Sequence, residues 1–256
     1  MATQTEFRLD GRTALVTGAG RGLGVGMAEG LARAGAEVVL AARTASEIEA
    51  VAASIIEAGG AARALPLDVS DETATREAIA ALPALDILVN NAGTNRPQMF
   101  VEAETENLDA LLDLNVRAAF IVAQAAVRRM LADDDRQARG GAVVNITSQL
   151  GRVAMRGRSM YAMTKHALEG LTKAMAIELA ERNIRVNAVG PTWVDTPMTR
   201  PALADPDLRK DVLDSIPMGR LAQIDDIAGA VVFLASPAAA MITGASLVVD
   251  GGWTAR

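Results

Sequence analysis

Cysteine is absent from the 256 residues, and histidine occurs once, at His166. No disulfide can form, and neither a thiolate nor a multi-histidine metal centre can be assembled, so no metal site is expected. Aromatic residues make up 3% of the chain, with a single tyrosine at Tyr161, against 50% hydrophobic residues overall. The core must therefore be aliphatic, which suits a parallel sheet covered by helices on both faces. The first ten residues are polar and charged and contain no apolar leader,. No uninterrupted apolar run reaches the thickness of a bilayer. A net charge of −6 argues against nucleic acid or an anionic membrane as partner, while leaving room for a local basic pocket. These properties predict a cytoplasmic protein that handles a small molecule. The length fits one large α/β domain over residues 1–256, or at most two small ones,.

Strand-like and helix-like stretches alternate along the whole chain. Short apolar runs predict strands at 13–17, 37–40, 64–67, 86–90, 142–146, 185–189 and 247–250,. Between them, helices are predicted at 23–34, 45–58, 71–82, 105–131, 160–180 and 225–234. Gly35 stops the first helix and Ser70 is the expected N-cap of the third. Repeated β-α units imply an α/β fold, a doubly wound parallel sheet of about seven strands with helices on both faces. Residues 133–141 read as a solvated loop. Residues 190–217, punctuated by Pro191, Pro197, Pro201 and Pro206, read as irregular and as a mobile lid,.

Five signals carry chemistry. The turn after the first strand reads Thr17-Gly-Ala-Gly-Arg-Gly-Leu-Gly24. Its glycines let the backbone turn tightly and let a pyrophosphate approach a helix N-terminus. An ordinary glycine-rich turn would look much the same, and the spacing Gly18-x-x-x-Gly22-x-Gly24 is not G-x-G-x-x-G. Asn90-Asn-Ala-Gly93 ends the fourth strand, at the sheet edge where open α/β folds bind ligands. On its own it is a turn. Tyr161 and Lys165 are one helical turn apart and share a face. A cation beside a phenol is expected to lower its pKa and make it an acid-base group. Ser148, just past the fifth strand, could orient a substrate oxygen. Asn115 lies in an apolar helix.

Taken together and in this order, Thr17-Gly18, Asp68-Val69, Asn90 to Gly93, Asn115, Ser148, Tyr161 and Lys165 resemble the short-chain dehydrogenase/reductase family over essentially the whole chain. The resemblance implies a Rossmann-type domain that moves a hydride between a nicotinamide cofactor and an alcohol or ketone carbon. It implies Tyr161 as acid or base, Lys165 tuning it, Ser148 holding the oxygen and Asn115 completing a proton relay through a held water. It implies cofactor contacts from Gly18, Arg21, Gly22, Leu23, Gly24, Asp68, Val69, Asn90, Ala92, Gly93, Tyr161, Lys165, Pro191, Val194 and Thr196. One departure is visible: the family's Pro-Gly after the sixth strand is Pro191-Thr192 here, which predicts a different backbone and a bulkier lining at Trp193.

At the end of the second strand, where NAD enzymes carry an acid for the ribose hydroxyl, the chain has Ala41 and Ala42 followed by Arg43,. Arg43, with Arg21, can bind a 2′-phosphate. NADP(H) is therefore expected ahead of NAD(H). Stacking of Arg43 on adenine is the alternative reading.

The segments 91–96 and 249–256 are similar to sugar-acid and polyol dehydrogenases of the family. A polyol, sugar or sugar acid is thus the expected substrate, with Thr94, Asn95, Arg96, Gln149 and Trp193 lining its pocket. A 3-oxoacyl-thioester (acyl carrier protein) reductase is the alternative enzyme, and a silent dinucleotide sensor the alternative of another class. His166 lies about 100° around the helix from Lys165 and reads as a packing or surface residue. Met155, Met160, Met163 and Met175 read as core or pocket filler. The family resemblance also implies a homotetramer built on the two long helices and on the last helix and strand, with residues 253–256 reaching a neighbour's pocket.

Overall fold

The computed structural model describes residues 7–132 and 139–255. Seven parallel strands form one sheet in the order β3-β2-β1-β4-β5-β6-β7. They are β1 (Thr13–Thr17), β2 (Glu37–Ala42), β3 (Ala61–Pro66), β4 (Ile87–Asn90), β5 (Gly141–Ile146), β6 (Ile184–Pro191) and β7 (Ser246–Val249). This is the expected doubly wound architecture.

Alternation along each strand builds two cores. Ala14, Val16, Val38, Leu40, Val89 and Val144 face one side, while Leu15, Val39, Leu88 and Val143 face the other. Successive strand residues point to opposite faces, so an all-apolar run buries both. The first core is closed by α1 (Leu23–Arg33) and α2 (Ala45–Glu57), and later in the chain by Ile227, Val231 and Leu234. The second is closed by α3 (Glu72–Ala80) and by the long helix that carries Val122, Ala126 and Met130.

That long helix is interrupted. α4 (Thr105–Leu112) passes through a π-helical turn at Asp113–Ala118 into α5 (Ala119–Leu131). Over its most apolar stretch its mean hydropathy is 1.5, comparable to a membrane-spanning segment. Here the apolar side lies against the sheet. α6 (Ser159–Leu179) packs beside it.

Several boundaries differ from the sequence reading. β3 begins at Ala61 because its backbone continues to pair with β2 from Glu37 onward, despite a half-exposed polar pattern. The cap of α3 is Asp71, whose carboxylate accepts from Ala74 N at 2.9 Å. Ser70 is instead drawn into a turn by Asp68 Oδ1, which accepts its N–H at 3.0 Å. The 190–217 stretch is not irregular. β6 runs through Pro191, and α7 (Arg200–Leu203) and α8 (Pro206–Asp214) follow, with Pro201 and Pro206 in their first turns, where the missing N–H is harmless,. A final helix, α9 (Ile224–Ala235), precedes β7. Most of the expected 133–141 loop, and Arg256 of the 253–256 segment, lie outside the described residues.

Candidate active site

The chain reverses direction across the sheet between β1 and β4, so the loops that follow these strands meet. Asn91 joins them. Its N–H donates to Thr17 Oγ1 at 3.0 Å, and its amide donates to Thr17 O at 2.8 Å. Thr17 Oγ1 also accepts from Ala92 N at 3.0 Å. The glycine loop is therefore fixed by side chains rather than left to turn freely.

Two of its glycines are obligatory. Gly22 takes φ 60° and ψ −131° as the N-cap of α1, a conformation other residues avoid,. At Gly24 a Cβ would sit 2.2 Å from Gly18 O. Because Gly22 has no side chain to cap the helix, the first N–H groups of α1 remain available to an anion,. Arg21 and Arg43 are both exposed at this edge. Neither has an ion-pair partner among the described residues. Asp68 is exposed and Val69 buried just past β3. Asn90 behaves differently from its neighbours. Its amide is spent inside the fold, donating to Ala119 O at 2.8 Å and to Asn145 Oδ1 at 3.3 Å.

Ser148, Tyr161 and Lys165 converge beyond the carboxyl end of β5. Ser148 Oγ accepts from Leu150 N at 3.1 Å and donates to Gln149 Oε1 at 2.7 Å. Lys165 Nζ lies 5.5 Å from the centroid of the Tyr161 ring and donates to Ile146 O at 2.9 Å. Burial pushes the Tyr161 phenol up to about 12, against a partial lowering by its hydrogen bond with Ser148 and by the charge of Arg158. Burial also pushes Lys165 down to about 8, opposed by Glu169. The expectation that Lys165 lowers the phenol is thus not met in the protein alone. The ammonium sits over the ring rather than at the hydroxyl, and the lowering comes from Ser148 and Arg158 instead, which desolvation outweighs,.

Asn115 occupies the π-helical turn and is fully buried. Its Nδ2 donates to Thr94 O at 2.9 Å and to Thr164 Oγ1 at 3.2 Å, while Oδ1 accepts from Thr94 N at 2.8 Å. It thereby ties the loop after β4 to the helical turn between Tyr161 and Lys165. A π turn in a long helix marks a local departure that proteins keep mainly at functional positions. Gly93 fits against the same side chain: a Cβ there would lie 3.1 Å from Asn115 Oδ1.

The residues expected at the substrate are less uniform. Gln149 is buried and bonded to Ser148. Asn95 Oδ1 and Thr192 Oγ1 are buried without hydrogen-bond partners. Arg96 is exposed and donates to Asn107 Oδ1 at 2.6 Å, which turns it to the surface. Thr196 is buried; its N–H donates to Thr199 Oγ1 at 3.1 Å. Val194 is buried and bridges Ala222. Trp193 packs with Leu203, Leu208 and Val212 of α7 and α8.

One residue at this site is missed by the sequence reading. Arg158 is only 8% exposed, and its guanidinium carbon stands 5.7 Å from the Trp193 ring. The only signal was its place three residues before Tyr161. Of the residues read as filler, Met160 is buried, but Met163 is half-exposed. His166 is on the surface, its Nδ1 2.9 Å from Ala162 O.

A cavity of about 410 Å³ lies beside α7 and α8, lined by Asp195, Leu203, Arg209 and Arg220 among others. None of Ser148, Tyr161 or Lys165 lines it. Two of its arginines are already paired, Arg200 with Asp195 and Arg220 with Asp226.

Residues 18–254 match the family model described as enoyl-(acyl carrier protein) reductase. D-erythrulose reductase of Gallus gallus is 41% identical over 99% of this chain and 99% of its own length. Two solved structures are similar throughout. A putative 2-deoxy-D-gluconate 3-dehydrogenase from Agrobacterium tumefaciens with bound NADP has 43% identity and a TM-score of 0.92, over 99% of this chain and all of that one. A gluconate 5-dehydrogenase from Burkholderia cenocepacia, in complex with NADP and tartrate, has 38% identity and a TM-score of 0.93 over 98% of each chain. Likeness of this extent, on the same seven-stranded sheet, makes the chain a member of the short-chain dehydrogenase/reductase family and an NAD(P)-dependent oxidoreductase acting on CH–OH groups.

Proposed function

We propose that this oxidoreductase interconverts a secondary alcohol and a ketone on a small polyhydroxylated substrate, a polyol, sugar or sugar acid, with NADP(H) preferred over NAD(H). The observation that carries the reading is the convergence of Ser148, Tyr161 and Lys165 at the carboxyl end of the parallel sheet, the end at which the N-terminus of α1 is left open. The named activities of the relatives, on erythrulose and on gluconates, support the substrate class.

The residues present would hold a nicotinamide cofactor, which when bound would supply or accept the hydride. Gly18, Gly22, Leu23 and Gly24 form the cradle for the pyrophosphate. Asp68, Val69, Ala92 and Gly93 would line the adenosine side, with Asn90, whose amide is turned inward, holding the end of β4 behind them. Pro191, Val194 and Thr196 line the nicotinamide side. A preference for NADP(H) rests on Arg21 and Arg43, exposed and without acidic partners among the described residues, where an NAD enzyme would place a carboxylate,. The two NADP-bound structures accord with it.

In the reducing direction, Ser148 hydrogen-bonds the carbonyl oxygen and Tyr161 donates its proton to that oxygen as the carbon accepts hydride. A phenol held near 12 is fully protonated for this step,. Lys165 restores the proton from its ammonium. Asn115 fixes the geometry between the β4 loop and α6 through Thr94 and Thr164. Residues 190–217 act as a lid through α7 and α8, which carry their own small apolar cluster with Trp193.

The protein acts as a homotetramer in the cytoplasm. Support for assembly comes from exposed apolar side chains on the long helices, Phe120 on α5 and Met163 and Ile177 on α6. A screen of NADPH oxidation against ketoses and keto-acids, with NADP+ reduction against the matched alcohols, tests the reaction. Absence of turnover with every compound and both cofactors refutes it.

A further inference from the structure

The guanidinium of Arg158 is the unexplained group of the site. The residue is 8% exposed, yet its side chain has no hydrogen bond and no ion-pair partner among the described residues. Its one side-chain contact of note is the face of Trp193, at 5.7 Å. The guanidinium keeps some contact with solvent, but packing desolvates it enough to hold its pKa below the usual arginine value, and a partly desolvated cation gains from an anionic partner,. Stacking on an indole recovers only part of that.

Placement narrows what the missing partner is. Arg158 is the N-cap of α6, three residues before Tyr161, and its charge is felt by the phenol. Trp193, beneath it, follows Thr192 at the end of β6. Gly157 O accepts from Gln98 N at 3.2 Å, so this corner also abuts the loop after β4. Arg158 thus stands at the meeting point of the three segments that enclose the reacting carbon in the proposed reading. Arg96, the cation expected there from sequence, is at the surface and bonded to Asn107.

We propose that Arg158 is a specificity-determining residue that binds a carboxylate of the substrate, making the preferred substrate a hydroxy acid or keto acid of the sugar-acid type rather than a neutral polyol or ketose. A planar guanidinium locked on Trp193 presents its N–H fork to a carboxylate with little orientational freedom to lose. A carboxylate pairs with the partly desolvated charge, and this discriminates because a neutral ligand leaves that charge unpaired. The proposal rests on the oxidoreductase reading only for where the reacting carbon lies.

The test uses substrate pairs that differ at one terminal carbon: D-gluconate with D-glucitol, and L-threonate with L-threitol. Calorimetric titration of the protein with NADP+ present gives binding independent of turnover, and kcat/KM is measured in parallel. The wild type is expected to favour the acid of a pair by about tenfold or more, a charged hydrogen bond's worth. Arg158→Gln is expected to abolish that preference by raising Kd and KM for the acid, with NADP+ affinity unchanged. Arg158→Lys, which keeps the charge without the fork, is expected to fall between, and guards against a folding defect in the first variant. A wild type that favours the alditols, or an acid preference that survives Arg158→Gln, overturns the proposal. So does an equal loss for acid and alditol in both variants, which assigns Arg158 to Tyr161 alone. If the acids bind in an Arg158-dependent way but no pair is turned over, the reaction reading fails and the carboxylate site stands.

Discussion

Lys165 Nζ stands over the Tyr161 ring, 5.5 Å from its centroid, while donating to Ile146 O at 2.9 Å. The two side chains share one helical face, yet the ammonium is tethered to the β5 backbone rather than to the phenol oxygen. Both groups are desolvated together. Burial therefore drives their pKa values apart, the phenol up to about 12 and the ammonium down to about 8.

This gives a pH profile. Ketone reduction needs the phenol protonated and the lysine charged. The phenol stays protonated throughout the usual range, whereas Lys165 loses its proton as pH rises through about 8. The reductive kcat is expected to be level near neutrality and to fall above about pH 8,. Lys165→Arg, which remains charged, is expected to move the fall to higher pH. A profile unchanged by that substitution assigns the limb elsewhere.

Tyr161→Phe retains the ring against Lys165 and removes the proton. A loss of about a thousandfold in kcat is expected, within the usual range for general acid-base groups. The Kd for NADP(H), measured by fluorescence titration, is expected to stay within about threefold, since only one polar atom is removed. Near-normal turnover in this variant sinks the assignment of Tyr161.

Gly24→Ala places a methyl 2.2 Å from Gly18 O, against backbone that is held by Asn91. Overpacking of this kind is expected to lower stability by about 2–3 kcal/mol. In a chain of this size that lowers Tm by about 5–10 °C. NADP(H) affinity should weaken with it, because the same shift moves the cradle. Gly59→Ala serves as the control for an added methyl, with open space around it but a φ of +85°, so any loss there reflects backbone strain alone.

Arg43→Ala is expected to raise KM for NADPH by about ten- to hundredfold through loss of a charged phosphate contact. KM for NADH should change little. Side-by-side kcat/KM ratios for the two cofactors check this. An unchanged ratio, or a wild type that prefers NADH, removes the arginine argument.

Sedimentation velocity at micromolar concentration is expected to give a tetramer mass. Phe120→Glu on α5 and Ile177→Glu on α6 place charges on exposed apolar positions and are expected to shift the mass downward,. A monomeric wild type contradicts the assembly.

Local sequence alone determined the order of the seven strands and of the helices between them apart from α7 and α8, because most strands are apolar runs bounded by turn residues and the longer helices are amphipathic repeats, whereas the half-exposed β3 and the two short helices carry weak patterns. It also singled out the glycine loop, Ser148, Tyr161 and Lys165, whose spacing is local or whose position follows directly after a strand. Three things were decided only in three dimensions. Asn90 turned inward to Ala119 and Asn145, since a central strand must satisfy its polar side chains within the fold,. The phenol and ammonium shifted by desolvation, which depends on everything packed around them and not on their separation in the chain. Arg158 was partly desolvated when α6 met Trp193, 35 residues later, so an arginine that looks like any surface cation in sequence came to lie 8% exposed against an indole. Burial and long-range contact are properties of the packed chain, and no local pattern encodes them.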